Sequence, residues 1–169
     1  VLIIMSPHNE QIRYEFERAF HAWRKSQDLP PVRIDWRAGG GTGDQRKQIL
    51  SELEKAANEG REDQLSTYDL FFGGGDYDHG RVAKGVTVFR DGKEVQIPAS
   101  IPPNLPEGLL EQVFPEPDIG GERLYHKEKR WIGVALSSFG IVYNRDVLQM
   151  ISLPEPTTWT DLADGNYLH

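Results

Sequence analysis

Three short apolar segments, each stopped by a loop rich in glycine or proline and separated by helical stretches, constrain this chain more than any other feature. The first is Val1-Leu2-Ile3-Ile4-Met5, five apolar residues without alternation, closed by Ser6-Pro7. Such a run suits a strand buried on both faces, the kind found in parallel sheets. Asn9 is placed to cap a helix, and from Glu10 to Gln27 apolar residues recur at Ile12, Phe16, Ala19, Phe20 and Trp23. That spacing predicts one buried helical stripe. Asp28 to Pro31 end the helix, because proline cannot continue one. Val32-Arg33-Ile34-Asp35-Trp36 alternates and predicts a second strand. After Gly39-Gly40-Gly41-Thr42-Gly43, a second helix is expected from Asp44 to Asn58, with Ile49, Leu50, Leu53, Ala56 and Ala57 on one side. Gly60 suits its C-terminal cap. Tyr68-Asp69-Leu70-Phe71-Phe72 predicts a third strand, closed by Gly73-Gly74-Gly75. The order βαβαβ implies an α/β fold, with a parallel sheet and right-handed crossovers.

Beyond residue 75 the pattern changes. Val86 to Phe89 and Glu94 to Ile97 flank Arg90-Asp91-Gly92-Lys93, a hairpin signal through Asp-Gly. Six prolines fall between Pro98 and Pro117, which predicts an irregular connection with a short helix at Glu107 to Val113. Leu124-Tyr125, Trp131 to Leu136 and Gly140 to Asn144 are expected to be strands. Asp146 to Ile151 is expected to be a short helix, and Thr158 to Leu162 a capped helical turn. The total of 169 residues fits one domain on the prior of roughly 100–200 residues each. Yet a strand is expected at residue 1, and Leu162 to His169 forms no obvious closing element, so an excerpt of a longer protein is expected.

Charge and composition remove several functions. With 19 Lys and Arg against 26 Asp and Glu, the net charge is −7. Binders of nucleic acid or anionic membrane concentrate positive charge instead. The absence of cysteine removes disulfides, thiolate metal sites and a cysteine nucleophile. No apolar run approaches the ~20 residues of a membrane-spanning helix.

Ligands of parallel sheets bind outside the carboxyl ends of the strands. Three loops are expected on that edge: Ser6 to Asn9, Gly39 to Asp44, and Gly73 to His79, which together hold 7 of the 17 glycines. Glycine lets backbone approach a ligand closely. The same loops carry Ser6, His8, Asn9, Thr42, Asp44, Asp76, Tyr77, Asp78 and His79. Glycines ahead of a helix suit an anion, since free N–H groups and the positive end of the dipole point outward. The dinucleotide fingerprint fails because Asp44 stands where glycine is required, and no Gly-Lys-Ser/Thr completes a P-loop. Asp76, Tyr77, Asp78 and His79, joined by His8 and Glu10, are types that ligate hard or borderline cations. Four consecutive residues rarely all reach one ion, so Asp78 is read as a helical cap and His79 as a loop residue. No set of catalytic motifs is present.

The residues from Trp131 to Leu148, with Gly140-Ile141-Val142-Tyr143-Asn144 at their centre, are followed by Leu153-Pro154-Glu155-Pro156-Thr157-Thr158-Trp159-Thr160-Asp161-Leu162. This stretch resembles the extracellular solute-binding proteins of ABC importers, in the group similar to ferric-iron binding proteins. The first strand and loop, the glycine loop before the second helix, and Tyr68 to Gly73 follow the same order. The resemblance implies a lobe like those of type II periplasmic binding proteins, with ligand held in a cleft that closes between two lobes. Residues 1–140 would form the first lobe, with 86–117 as a proline-rich insertion, and 141–169 would begin the crossover to a second lobe missing here. The ligand-facing positions it implies are His8, Asn9, Gly41, Thr42, Asp76, Tyr77, Ser137 and Ser138. A metal ion such as ferric iron, as cargo, would use His8 and Asp76. The same resemblance implies a periplasmic or extracytoplasmic monomer without enzymatic activity that hands a small solute or metal ion to a membrane permease. Two other readings stand beside it: a metal-dependent hydrolase using His8, Asp76 and Asp78, and a sensor or interaction domain built on the same lobe.

Overall fold

The computed structural model describes residues 1–64, 67–137 and 140–167. They fall into two compact units, Val1–Gly133 and Val134–His169.

In the first unit the expected βαβαβ order is present. Strand β1 (Leu2–Met5) leads into helix α1 (Glu10–Ser26), β2 (Ile34–Arg37), α2 (Thr42–Asn58) and β3 (Leu70–Phe71). The sheet has the order β2-β1-β3 and is parallel throughout: Leu2 to Met5 pair with Ile34 to Arg37, while Ile4 and Met5 pair with Leu70 and Phe71. The third strand is shorter than the expected Tyr68 to Phe72. Asp69 instead turns its carboxylate back to accept the Ile3 N–H at 2.7 Å.

With β1 in the middle, right-handed crossovers carry α1 and α2 to opposite faces. Neighbouring strand residues point to opposite sides, and the contacts agree. Met5 packs with Ile49 of α2, while Trp36, in register with Ile4, donates its indole N–H to Glu17 of α1 at 2.8 Å. On the α2 face Ile49, Leu53, Ala56 and Ala57 are buried, as their spacing predicts. Helix α2 closes on Gly60 at φ 66°, with Arg61 N–H on Ala56 O and Gly60 N–H on Ala57 O. Those two bonds form a Schellman cap. Helix α3 (Asp76–Lys84) lies beside α2 and adds Val82 to the cluster around Met5 and Ile49.

The face carrying α1 corrects the expectation of a buried stripe. Asn9 does cap α1, accepting the Ile12 N–H at 3.0 Å. However, no residue of the helix is buried, and Ile12, Phe16 and Trp23 are among the exposed large side chains. Phe16 meets the sheet through an edge contact with Phe72, whose ring centroid lies 4.7 Å away. Periodicity made the helix amphipathic, but among the described residues no further element packs closely against it to cover the stripe.

The hairpin is as expected. Strands β4 (Val86–Arg90) and β5 (Lys93–Ile97) are joined through Asp91 at φ 51° and Gly92 at φ 74°. Two successive positive φ angles make the turn that matches strand twist. Arg90 ties the hairpin back by donating to Ala57 O at 2.9 Å and pairing with Glu62 at 2.6 Å. Helix α4 (Leu109–Val113) forms in the proline-rich connection. A two-residue hairpin, β6 (Asp118–Ile119) and β7 (Glu122–Arg123), follows around Gly120-Gly121.

Strands were expected at Leu124-Tyr125, Trp131 to Leu136 and Gly140 to Asn144, and the structure corrects all three. Tyr125 and Ile132 make a single antiparallel bridge, and no strand forms over the rest. A strand needs a ladder partner. Gly133 still donates its N–H to Leu124 O at 2.7 Å, but among the described residues 134–137 and 140–144 no partner is found, and Val134, Leu136 and Val142 stay exposed.

The second unit is held by short-range contacts. Helix α5 (Arg145–Met150) is capped by Asn144, which accepts the Val147 N–H at 3.2 Å. Glu155 receives the Tyr143 hydroxyl and pairs with Arg145 at 3.3 Å. The expected capped turn is a 3-10 turn at Asp161–Ala163. The Asp161 carboxylate accepts the Thr157 and Thr158 N–H groups at 2.7 and 2.8 Å. These backbone donors, first Thr157 and then Thr158, stabilise the charged form and pull its pKa from 3.8 down to about 2.

Candidate functional site

The carboxyl edge of the sheet is where β1 and β3, side by side, send their chains to helices on opposite faces. That is a topological switch point, the usual ligand position in an open parallel sheet. The Ser6 to Asn9 loop leaves β1 there, and the Gly73-Gly74-Gly75 loop leaves β3. The Gly39 to Gly41 loop enters the same edge ahead of α2.

The glycines bring the three loops together. A Cβ built on Gly73, at φ 111°, would fall 2.8 Å from His8 Nε2. One on Gly74, at φ 87°, would fall 2.2 Å from the Thr42 methyl. The third loop therefore touches the first at His8 and the second at Thr42, and only glycine allows both approaches. His8 also stacks edge-on against Phe72 at 5.1 Å, and its N–H bonds Ser6 Oγ at 3.2 Å. Ser6 is fully buried, so the turn that presents His8 is fixed from beneath.

Helices α2 and α3 both begin on glycine, Gly41 and Gly75, which has no side chain to cap the first turn. Asp44 bends back to accept the Gly41 N–H at 3.3 Å and lies 3.8 Å from Lys47. Asp76 and Tyr77 occupy the first turn of α3 and are exposed.

Asp78 is not the cap expected of it. It lies inside α3 and pairs with Arg46 of α2 at 2.9 Å, with both side chains four-fifths or more buried. The Arg46 guanidinium also lies over the Tyr77 ring at 5.1 Å. His79, read as a loop residue, is helical, and its Nε2 lies 2.8 Å from Gly73 O, which holds the glycine loop in place.

Of the predicted site residues, His8, Thr42 and the glycine loop before Asp76 and Tyr77 thus meet on one edge. Gly41 starts α2 there. Asn9 is at the same end of α1, although its side-chain oxygen is occupied as a cap. Ser137 is exposed on an irregular segment of the second unit, and Ser138 lies outside the described residues. No three His, Asp or Glu side chains gather as a cation would need, among the described residues. Two residues escaped the sequence reading. Arg46 stands at i+4 from Thr42, a spacing that could have flagged it, since such positions share a helix face. Gln45 is fully buried, and nothing in composition or motif marks it.

Each unit also holds a shallow hollow. One, of about 280 Å³, is lined by Tyr143 and Trp159 in the second unit. The other, of about 440 Å³, is lined by His21, Arg24 and Leu29 at the end of α1. The first sets Gly140 beside Tyr143, Thr157 and Thr158, whereas the second has no glycine in its lining.

No known family, no curated protein and no solved structure matches this chain. The fold is mixed α/β with a small three-stranded parallel sheet.

Proposed function

We propose that residues 1–133 are the ligand-bearing wall of a solute-binding protein of the ABC importer type, and that the three-loop edge contributes one side of an interlobe cleft. The observation that carries this reading is the convergence of His8 and Thr42 on Gly73 and Gly74 at the switch point of the sheet. Loops on a rigid scaffold, with backbone left accessible by glycine, suit reversible capture of a small solute. The motif run from Gly140 to Leu162 adds the sequence resemblance. In this reading the protein is not an enzyme, works outside the cytoplasmic membrane as a monomer and delivers its solute, or a metal ion, to a permease. His8, Thr42, Asp76 and Tyr77 face the ligand from this lobe, and a cation as cargo would draw on His8 and Asp76.

The hydrolase reading gains less support, because Asp78 is committed to Arg46. Calorimetric titration of the intact protein with a panel of small solutes and metal ions tests the proposal. Binding without turnover is expected, and Gly74→Val should abolish it by driving Thr42 from its place. No binding to any solute or metal would overturn it.

A further inference from the structure

The chain holds two Asp-Gly pairs, Asp91-Gly92 and Asp164-Gly165. In such a pair the following amide nitrogen can attack the aspartyl side-chain carbon, because glycine puts no side chain in the way. The two pairs sit in different surroundings. Asp91 and Gly92 are the central residues of the β4-β5 turn, both exposed, at φ 51° and 74°. Apart from its chain neighbours, nothing lies within 4 Å of the place a Gly92 Cβ would occupy. The ladder pairs Arg90 with Lys93, which leaves the Gly92 N–H outside it. Among the described residues neither that N–H nor the Asp91 carboxylate has a hydrogen-bond partner, and the neighbouring cation, Arg90, is turned to Glu62. Asp164 is held instead. Its Oδ1 accepts the Asn166 N–H at 3.0 Å and the Asn166 side-chain amide at 2.9 Å, an Asx turn that aims the carboxylate at Asn166.

We infer that Asp91 is a site of spontaneous backbone isomerisation, and that the product loosens the β4-β5 hairpin. The Gly92 nitrogen forms a bond to Asp91 Cγ. The hydroxyl of the protonated carboxyl leaves with the amide hydrogen as water, which closes a succinimide ring. Water then opens the ring at either carbonyl. Attack at Cγ restores aspartate. Attack at the main-chain carbonyl breaks its bond to the Gly92 nitrogen and leaves isoaspartate, in which the backbone runs through Cβ. The product adds one methylene to the main chain of a two-residue turn. Turn type and loop length set the register of a hairpin, and here that register places the buried Val88 opposite Val95. Arg90, next to the altered residue, also ties the hairpin to Ala57 O and Glu62. One isomerised bond therefore disturbs both the strand pairing and the anchor at the end of α2. The inference stands apart from the solute-binding reading.

The test is ageing of the intact protein at mildly acidic pH in water enriched in heavy oxygen, followed by peptide mapping and isoaspartyl methyltransferase labelling. Each passage through the ring leaves one heavy oxygen in the peptide, whichever carbonyl the water attacks. Asp91 is expected to gain heavy oxygen and isoaspartate at least about tenfold faster than Asp164, the factor that corresponds to roughly one hydrogen bond to a charged group. The isomerised fraction, separated by chromatography, should unfold about 3 °C below fresh protein. Asp91→Asn keeps a favoured turn pair and reaches the same ring by loss of ammonia, so it should give isoaspartate sooner than wild type. Asp91→Gly, also a favoured pair, should abolish the heavy-oxygen uptake in this peptide and the ageing shift in Tm. Uptake at Asp164 as fast as at Asp91 overturns the inference. So does an absence of isoaspartate at Asp91 under conditions where a free peptide of the same turn sequence isomerises, and so does an isomerised fraction with an unchanged Tm.

Discussion

The two faces of the β2-β1-β3 sheet carry helices of equal length and similar amphipathic pattern, yet they end in different states. Against one face, α2 buries Ile49, Leu53, Ala56 and Ala57, and α3 and the β4-β5 hairpin close over it. Against the other, the 17 residues of α1 include none that is buried. A helical stripe reports which side of a helix is apolar, whereas burial depends on how much surface stands opposite. The same three short strands stand behind both helices, and it is α3 and β4, packed against α2 alone, that complete the buried face.

This contrast can be broken or sharpened by substitution. Leu53→Ala, on the packed face, should cost about 3 kcal/mol in denaturant unfolding, the usual size for a buried leucine. A loss below about 1 kcal/mol would mean that this face is not a real core. Arg46→Ala comes next, at about 2 kcal/mol, because the pair joining α2 to α3 is mostly but not wholly withdrawn from water. A double-mutant cycle with Asp78→Asn should return most of that loss as coupling. On the open face, Phe16→Ala should cost only about 1 kcal/mol, since 45% of the side chain is already in water. Trp23→Gln, at 53% exposure, should change stability by no more than about 0.5 kcal/mol. Should Phe16→Ala match Leu53→Ala, the two faces would be energetically alike and the comparison would fail.

Acid offers a control in the second unit. The Asp161 pKa is held at about 2, below its ordinary 3.8, so its contribution is complete above the ordinary value and is lost as pH falls from there through 2. NMR signals of the Thr157 and Thr158 amides should therefore hold steady from neutrality down to about pH 4 and then shift together.

Local sequence made much of this fold legible. The apolar run at Val1 to Met5, the cap at Asn9, the Gly60 terminus and the Asp91-Gly92 turn each encode a backbone geometry that needs no distant partner. The glycine loops could likewise be placed on one edge, because parallel strands all end there. Trp131 to Leu136 and Gly140 to Asn144 were misleading for the opposite reason: β-forming residues become a strand only where a ladder receives them. Gln45 was not legible because nothing local marks a buried side chain without a partner, and Arg46 was hinted at only by its spacing from Thr42, since Asp78 lies on another helix.

The placement of β1 in the middle of the sheet also has a consequence in time. Met5 pairs on one side with Arg37 and on the other with Phe71, so the last partner lies 66 residues further along the chain. At a synthesis rate of about 5–20 residues per second, an apolar strand waits several seconds for the neighbour that completes its cover. During that interval the growing chain presents Leu2 to Met5 to whatever surrounds the ribosome. The order of strands thus sets a period of vulnerability before any ligand can be met.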